Sequence, residues 1–446
     1  MSPAAPHVRA LRVGPVVGRQ APLVSRARRA GVLAGLALVG ACAGSSGAPS
    51  GVAPVADARP VEVAPPKRAP ALPDLALAVP DHASLSPLAA PASKELAATR
   101  ATLAAVVAKW GFEPNNAWAI GHALQGLGAD GKMPDGGSAV DSLFATYAER
   151  ATIGSADVVR FMKARGDIRV EPHSGLTIKI LTDMGVKPDR AVTVQGAPAT
   201  VGDLWRGTVL YTWVDSDTTS FGSWNDTPWT LQAIAAWAPP AYAWTADGGH
   251  AMTVDLFTHA VVQKLVSETA FLREAKASGG TFQKQKQGIF AYTCGGAHLL
   301  QGASYAVSRG FGSPEDRAAV VEALHVQAWR FPIELGIIDE MLVRVPKAKS
   351  LLLVQRLKMV GHHLETLQRG AAEGLLGPDD KDIVDSVKLA ERELIATAAA
   401  IVKSGAFDAM PEVRAANEQV FLDLIGDSAH AVHGIDLSTG AAGVWK

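Results

Sequence analysis

The chain has 446 residues, of which 48% are hydrophobic and only two are cysteines, with a formal net charge of −1. The first 42 residues contain six arginines and no acidic residue, so the charge becomes −7 once they are removed. A mildly acidic chain lacks the basic surface that nucleic acids require, which excludes them as partners. The remaining body of about 350 residues is long enough to bury a core without disulfides.

The N-terminal segment has the order of parts found in a signal peptide. Its arginines are followed by an apolar run over residues 30–41 that stops at Cys42. The run is well short of the roughly 20 residues that a membrane-spanning helix needs. The tetrad Val39-Gly40-Ala41-Cys42 resembles a bacterial lipobox, which implies a cleaved lipoprotein signal peptide over residues 1–41 and lipid, including palmitate, on Cys42. The alternative is an ordinary signal peptide cleaved near Ala41 or Ala43.

Residues 42–92 are rich in Pro and Ala and show no periodic apolar face. This pattern predicts a disordered linker that holds the domain at residues 93–446 away from the membrane. Lipidation of Cys42 leaves Cys294 without a disulfide partner. Because residue 43 is Ala rather than Asp, the sorting pattern of lipoproteins favours the outer membrane, with the domain facing the periplasm or the cell surface.

A short pattern recurs at intervals of roughly 50 to 70 residues beyond Ser93. It consists of an aromatic ring, any residue, Leu, and then Gln or Glu. Four copies are clear and two are weaker. The clear copies begin at His122, Trp229, His298 and His362, and the weaker ones at His173 and His430. The six copies together predict six repeat units.

Each unit also contains a second amphipathic helix with its own start signal. In Ser313-Pro314-Glu315-Asp316 a Ser cap precedes Pro at the first helical position, and Thr200 and Thr253 open similar runs. Outer helices are expected at residues 93–109, 138–150, 201–214, 253–277, 314–330 and 379–403, and inner helices start near residues 116, 173, 228, 294, 359 and 411. Twelve helices in alternating pairs predict an all-α fold, an (α/α)6 barrel or toroid. One small β-hairpin is expected over residues 192–201.

Three blocks resemble a group of uncharacterised bacterial toroid proteins. They begin at Tyr292, Gly361 and Trp229 and read YTCGGAH, GHHLE and WTLQAIAAW. The resemblance covers roughly residues 115–367, and it implies the toroid fold without assigning an activity. The architecture is also similar to that of prenyltransferase, terpene-cyclase and lanthionine-cyclase toroids, and of several glycan-active toroids. Fold alone does not choose among their chemistries.

Cys294 and His298 are the strongest candidates for chemistry, because a spacing of four residues places two side chains on one helix face. His362 or His363, one unit later, is a candidate third ligand. One Cys and two His predict a zinc site with an open position. The alternative is a small buried Cys294 and a His298 that only bonds a neighbour.

A second set of candidates surrounds Asp226, which precedes an inner helix that Pro228 helps to start. Asp226 is either a helix cap or a general acid or base at the cavity mouth. The tryptophans near inner-helix starts are candidate platforms for a sugar ring; they are Trp118, Trp224 and Trp229. If the leading histidines face one cavity, His122, His173 and His363 are further candidate catalytic residues.

Two hypotheses about function stay open. The first is a cavity enzyme of the cell envelope that acts on a glycan or isoprenoid-like small molecule. The second is a non-catalytic lipoprotein whose toroid binds a ligand or a partner. The contents of the cavity distinguish them: an enzyme needs Cys294, His298 and either His362 or His363 within reach of one metal, or Asp226 next to a second carboxylate or a His.

Overall fold

The computed structural model describes residues 93–216 and 218–439. The predicted signal peptide, Cys42 and the linker lie outside the described residues. Within them the chain forms thirteen α-helices and four short hairpins. No helix in the described part is long and apolar enough to cross a membrane.

The helices are numbered in chain order. They are α1 Lys94–Trp110, α2 Ala117–Leu127, α3 Ala139–Tyr147, α4 Leu176–Asp183, α5 Val201–Tyr211, α6 Thr227–Trp237, α7 Val254–Ala277, α8 Ala297–Ser308, α9 Pro314–Arg344, α10 Lys349–Ala372, α11 Lys381–Ser404, α12 Met410–Ala416 and α13 Glu418–Thr439.

Six of these helices form a closed inner ring. Each inner helix contacts the next in the order α2, α4, α6, α8, α10 and α13, and α13 returns to contact α2. Every residue of α4 and α6 is buried, as expected for helices covered on all sides. Helices α1, α3, α5, α7, α9 and α11 lie outside this ring, so the predicted (α/α)6 toroid is confirmed.

The ring closes between the first and last described units. Helix α13 packs on both α1 and α2. Arg100 of α1 donates to the Asp436 carboxylate of α13, with 2.7 Å from Nη2 to Oδ2. An ion pair between residues 336 positions apart in the chain therefore fastens the junction.

The outer helices begin at the predicted caps. Ser313 and Asp316 form a reciprocal capping box at the start of α9, and Thr200 and Asp203 form one at α5. Thr253 accepts a hydrogen bond from the backbone of Leu256 at the start of α7. These side chains satisfy backbone N–H groups that have no partner inside the helix, which explains why short polar sequences set the boundaries.

Three helix boundaries were predicted wrongly in the second half of the chain. Helix α10 begins at Lys349, ten residues before the expected position, and the last inner unit is split into α12 and α13. Helix α9 continues past residue 330, through Pro332, to Arg344. Pro332 cannot donate to the carbonyl of Ala328, but that carbonyl accepts a bond from Ser386 Oγ at 3.4 Å. This bond satisfies the carbonyl, so α9 can continue through the proline.

The strands form antiparallel hairpins on the loops between helices. They are β1 Ala148–Ile153 with β2 Ala156–Phe161, β3 Ala164–Arg165 with β4 Ile168–Arg169, β5 Ala191–Val194 with β6 Ala197–Thr200, and β7 Ala243–Thr245 with β8 Ala251–Thr253. The β5–β6 pair confirms the predicted hairpin. The expected helix over residues 138–150 instead ends at Tyr147, because Ala148 is extended and begins β1. Gly154 at φ 60° then turns the chain back between β1 and β2.

Candidate metal centre and central cavity

Cys294 lies in a left-handed turn immediately before α8. The residue has φ 52°, and Gly295 and Gly296 that follow are also at positive φ. Arg330 Nη2 donates to the carbonyl of Gly295 at 2.8 Å, and the backbone N–H of Thr293 donates to Asn225 Oδ1 at 3.0 Å. A non-glycine residue in this region is uncommon and marks a position that the surrounding structure holds in place.

The prediction that Cys294 and His298 lie on one face of a helix is wrong. Helix α8 begins at Ala297, so Cys294 is not one helical turn below His298 on a common face. The two side chains still meet, because the turn directs the thiol toward the start of α8.

Cys294, His298 and His362 converge between α8 and α10. Their ligand atoms all lie within 4.8 Å of one another, and Cys294 Sγ is 2.8 Å from His362 Nε2. Both imidazoles are buried, with 7% and 3% of their surface exposed. The cluster has the number and type of ligands that a transition metal binds.

A buried carboxylate supports the cluster from α10. Glu365 is fully buried and accepts hydrogen bonds from His430 Nδ1 at 2.8 Å and from His433 Nδ1 at 2.7 Å. Gln125 and Gln301 also donate to it, at 2.8 and 3.1 Å. Because His430 donates through Nδ1, its Nε2 remains an acceptor. The ligand atoms of His362, Glu365 and His430 form a second group within 4.8 Å.

Glycines allow α10 and α13 to approach closely enough for these contacts. A Cβ on Gly434 would lie 2.8 Å from the backbone nitrogen of Glu365, and one on Gly361 would lie 3.2 Å from the carbonyl oxygen of Asp427. Both are helical positions where a larger side chain would push the helices apart. Gly434 directly follows His433, so the two helices approach each other closely at the cluster itself.

Burial sets the protonation of the cluster. It lowers the pKa of His298 and of His362 well below the usual value, so both imidazoles are neutral and carry a lone pair for a metal. Burial alone would raise the pKa of Glu365, but the attraction of His430 and His433 holds it well below its ordinary value. The carboxylate is therefore charged, and it stabilises positive charge beside it.

A central cavity of about 550 Å³ opens beside the cluster and is lined by both Cys294 and His298. Four of the predicted residues form two ring pairs in its wall. The Trp118 and His122 ring centroids are 3.8 Å apart, and His173 stacks on Trp229 at 4.1 Å with the planes 7° apart. The cavity thus combines flat aromatic surfaces with histidine nitrogens.

His173 and Asp226 form a hydrogen-bonded pair at this cavity. The distance from His173 Nδ1 to Asp226 Oδ1 is 3.0 Å. Asp226 makes no side-chain hydrogen bond that caps α6, so the capping alternative does not hold. The carboxylate instead fixes the orientation of the His173 ring and leaves Nε2 as a proton acceptor.

His122 has a more restricted role. Its Nδ1 donates to the carbonyl of Trp118 at 2.8 Å. Burial, with the electrostatic effect of His430 second, lowers its pKa to about 3. The ring is neutral throughout the physiological range, and it contributes a surface and a single acceptor rather than a titrating group.

Two predicted residues do not join the others. His363 stacks on Phe331 at 3.7 Å, and its ring nitrogens contact Gln327 and Ser386 at 3.1 and 2.8 Å. As the residue after His362 on one helix, it is rotated away from the cluster toward α9 and α11. Trp224 does not line the central cavity. Its ring lies 5.9 Å from Lys264 Nζ of α7.

Sequence reasoning missed three acidic or basic residues of the site. Glu365 and His430 were noticed only as members of the repeat, although a carboxylate on a helix that is expected to be buried is itself a signal. Glu171 was not noticed. It lies two residues before His173, and burial raises its pKa to about 7, with Asp226 adding to the effect. It is a carboxyl able to release a proton near neutral pH.

Comparison of the chain with protein-family models, with curated proteins and with solved structures gives no match.

Proposed function

We propose that the chain is an exported lipoprotein, anchored by lipid on Cys42, whose toroid holds a zinc ion and acts on a small molecule in the central cavity. The convergence of Cys294, His298 and His362 carries the proposal. Zinc held by one Cys and two His keeps a fourth position open and acts as a Lewis acid. The anchor and the outer-membrane location rest on the N-terminal sequence.

The protein groups around the ion have separate tasks in this proposal. Glu365 orients His430, whose Nε2 supports the cluster from α13. His173, held by Asp226, accepts a proton from a bound substrate or from water. The Trp229 ring lies between His173 and His298, with its centroid 4.1 Å from that of His173 and 4.7 Å from that of His298.

The substrate classes that fit are a glycan or an isoprenoid-like molecule. Trp118 and Trp229 offer the flat faces on which either a sugar ring or an unsaturated chain packs. The alternative is a non-catalytic lipoprotein that uses the same cavity to bind a ligand. An enzyme with this site turns over only while His173 is intact, whereas ligand binding without chemistry tolerates its loss.

Elemental analysis of the purified full-length chain tests the metal directly. We expect zinc bound in an equimolar amount to wild-type protein, little zinc in Cys294→Ala and His298→Ala, and wild-type content in a His173→Asn control. His173 lines the same cavity but is not a ligand, so it controls for general damage to the cavity. Equal absence of metal from wild type and Cys294→Ala after reconstitution would overturn the zinc site.

A further inference from the structure

A second cavity, which we call the apolar chamber, lies on the other side of the cluster from Trp118. Its volume is about 560 Å³, within the ~300–1,000 Å³ typical of small-molecule sites. Polar and apolar residues both line it, but most of the wall surface is apolar and comes from residues that include Phe290, Ile337, Ile338, Met341, Leu352 and Met359. None of these residues lines the central cavity.

The parts of α9 and α10 that exceed the predicted repeat build this chamber. Ile337, Ile338 and Met341 lie on the extension of α9 beyond residue 330, and Met341 follows the two isoleucines by about one helical turn. Leu352 and Met359 lie seven residues apart, near the early start of α10. Both sets lie on one face of their helix. The departure from the regular repeat therefore creates a specific apolar wall.

The chamber and the central cavity meet at the metal-binding cluster. Cys294 and His362 line both of them, as does Lys358. A molecule in the apolar chamber therefore ends at the groups that the proposed zinc ion uses.

Most charged groups of the chamber pair with a neighbouring charge. Lys284 pairs with Glu334, and Arg330 lies 3.2 Å from the same carboxylate. Lys358 Nζ is 2.9 Å from Asp423. Lys284 and Arg330 share one carboxylate and Lys286 also lines the wall, so the chamber carries residual positive charge. It therefore favours an apolar occupant with an oxygen-bearing or anionic head over a cation.

We infer that the apolar chamber binds the hydrocarbon tail of an amphiphilic substrate whose polar head lies at the Cys294, His298 and His362 cluster. This deepens the proposed function and rests on it. A tail in the chamber fixes the head at one place, so binding energy from the non-reacting part positions the reacting part. The substrate class is a single-chain amphiphile with an oxygen-bearing head group.

Calorimetric titration of the zinc-loaded full-length chain with octanoate, decanoate and dodecanoate tests the inference. Each methylene that enters an apolar site tightens binding about 4-fold. We therefore expect each step of two methylenes to lower Kd about 15-fold. Affinity that does not change with chain length would overturn the chamber as the tail site.

Two variants and a matched control locate the effect. Met341→Trp fills the chamber, and Met359→Gln places a polar amide in its wall with little change in size; both should remove most of the chain-length dependence. Val343→Trp introduces the same large ring on α9, at a site that is 80% exposed, and should bind like wild type. Wild-type ligand binding in both chamber variants would overturn the inference, as would equal loss in Val343→Trp.

The zinc content of the same samples separates this inference from the proposed function. Met341→Trp and Met359→Gln should retain zinc, because neither residue belongs to the ligand cluster. Retained zinc with no chain-length dependence in wild type overturns the tail site alone. Loss of zinc from wild type itself overturns the proposed function.

Discussion

His430 donates its Nδ1 proton to Glu365 across the boundary between two inner helices, at 2.8 Å. The bond fixes the tautomer of the histidine and directs Nε2 away from the carboxylate. Paired in this way, a carboxylate and a histidine form the support that metal-binding histidines commonly have. His362, whose ring centroid is 3.9 Å from that of His430, lies next to this pair.

Glu365→Gln should weaken zinc binding about 10- to 100-fold, because the amide cannot accept from His430 and His433 as a charged carboxylate does. Competition with a chromogenic chelator measures the affinity. Glu373→Gln is the matched control, since it replaces another buried carboxyl just beyond the C-terminal end of the same helix. Wild-type affinity in Glu365→Gln would contradict the supporting role of this residue.

Glu373→Gln should change the pH dependence of stability. Burial raises the pKa of Glu373 to about 8 from an ordinary value of 4.5, so the folded chain binds more protons than the unfolded chain between those values. Stability contributed by this group therefore falls as pH rises through that window, by up to about 1.4 kcal/mol per pH unit. In urea unfolding from pH 5 to pH 9, the free energy of unfolding should fall less steeply with pH in Glu373→Gln than in wild type. Identical pH dependence in the two proteins would refute the prediction.

Gly302→Ala should destabilise the toroid by about 1–3 kcal/mol through overpacking. A Cβ at this position of α8 would lie 2.6 Å from the carbonyl oxygen of Pro228 on α6. Gly336→Ala on α9 is the matched change, because nothing lies within 4 Å of its Cβ position. There alanine should stabilise the helix by about 0.5–1 kcal/mol. Chemical denaturation of both variants checks the opposite signs.

Cys294 should be alkylated more slowly when zinc is bound. A Cys42→Ser background leaves Cys294 as the single thiol of the chain. Iodoacetamide labelling, followed by mass spectrometry, should slow in proportion to the fraction of protein that holds metal, because a coordinated thiolate is not available to attack. Unfolded protein with the same zinc is the control. Equal rates with and without zinc in the folded chain would argue against a Cys294 ligand.

The fold was predictable because inner helices leave a strong trace in sequence. Helices α2, α6 and α8 contain no charged residue, and the outer helices begin at caps such as Ser313 and Thr253, where the chemistry is local. The helix boundaries that were predicted wrongly depend on contacts with residues elsewhere in the chain. Nothing near Pro332 indicates that Ser386 will bond the carbonyl that this proline leaves unpaired.

The site was predictable in its residues more than in its geometry. The spacing of Cys294 and His298 suggested one helix face, while the meeting depends on a turn at φ 52° that residue spacing does not encode. His362 and His363 are adjacent on α10, and sequence could not tell which one faces the cavity. The bond between Glu365 and His430 joins residues 65 positions apart and depends on how α10 and α13 pack.

The Arg100 and Asp436 ion pair has a consequence for the order in which the toroid assembles. Helices α1 and α2 both pack on α13, which lies more than 300 residues later in the chain. Their apolar faces therefore stay uncovered until α13 has been synthesised. Closing so long a loop is slow, and the incomplete ring exposes apolar surface during that time. A circular permutant that joins α13 to α1 would move this late closure to the junction that carries the new ends, because a closed ring always keeps one contact between its first and last units.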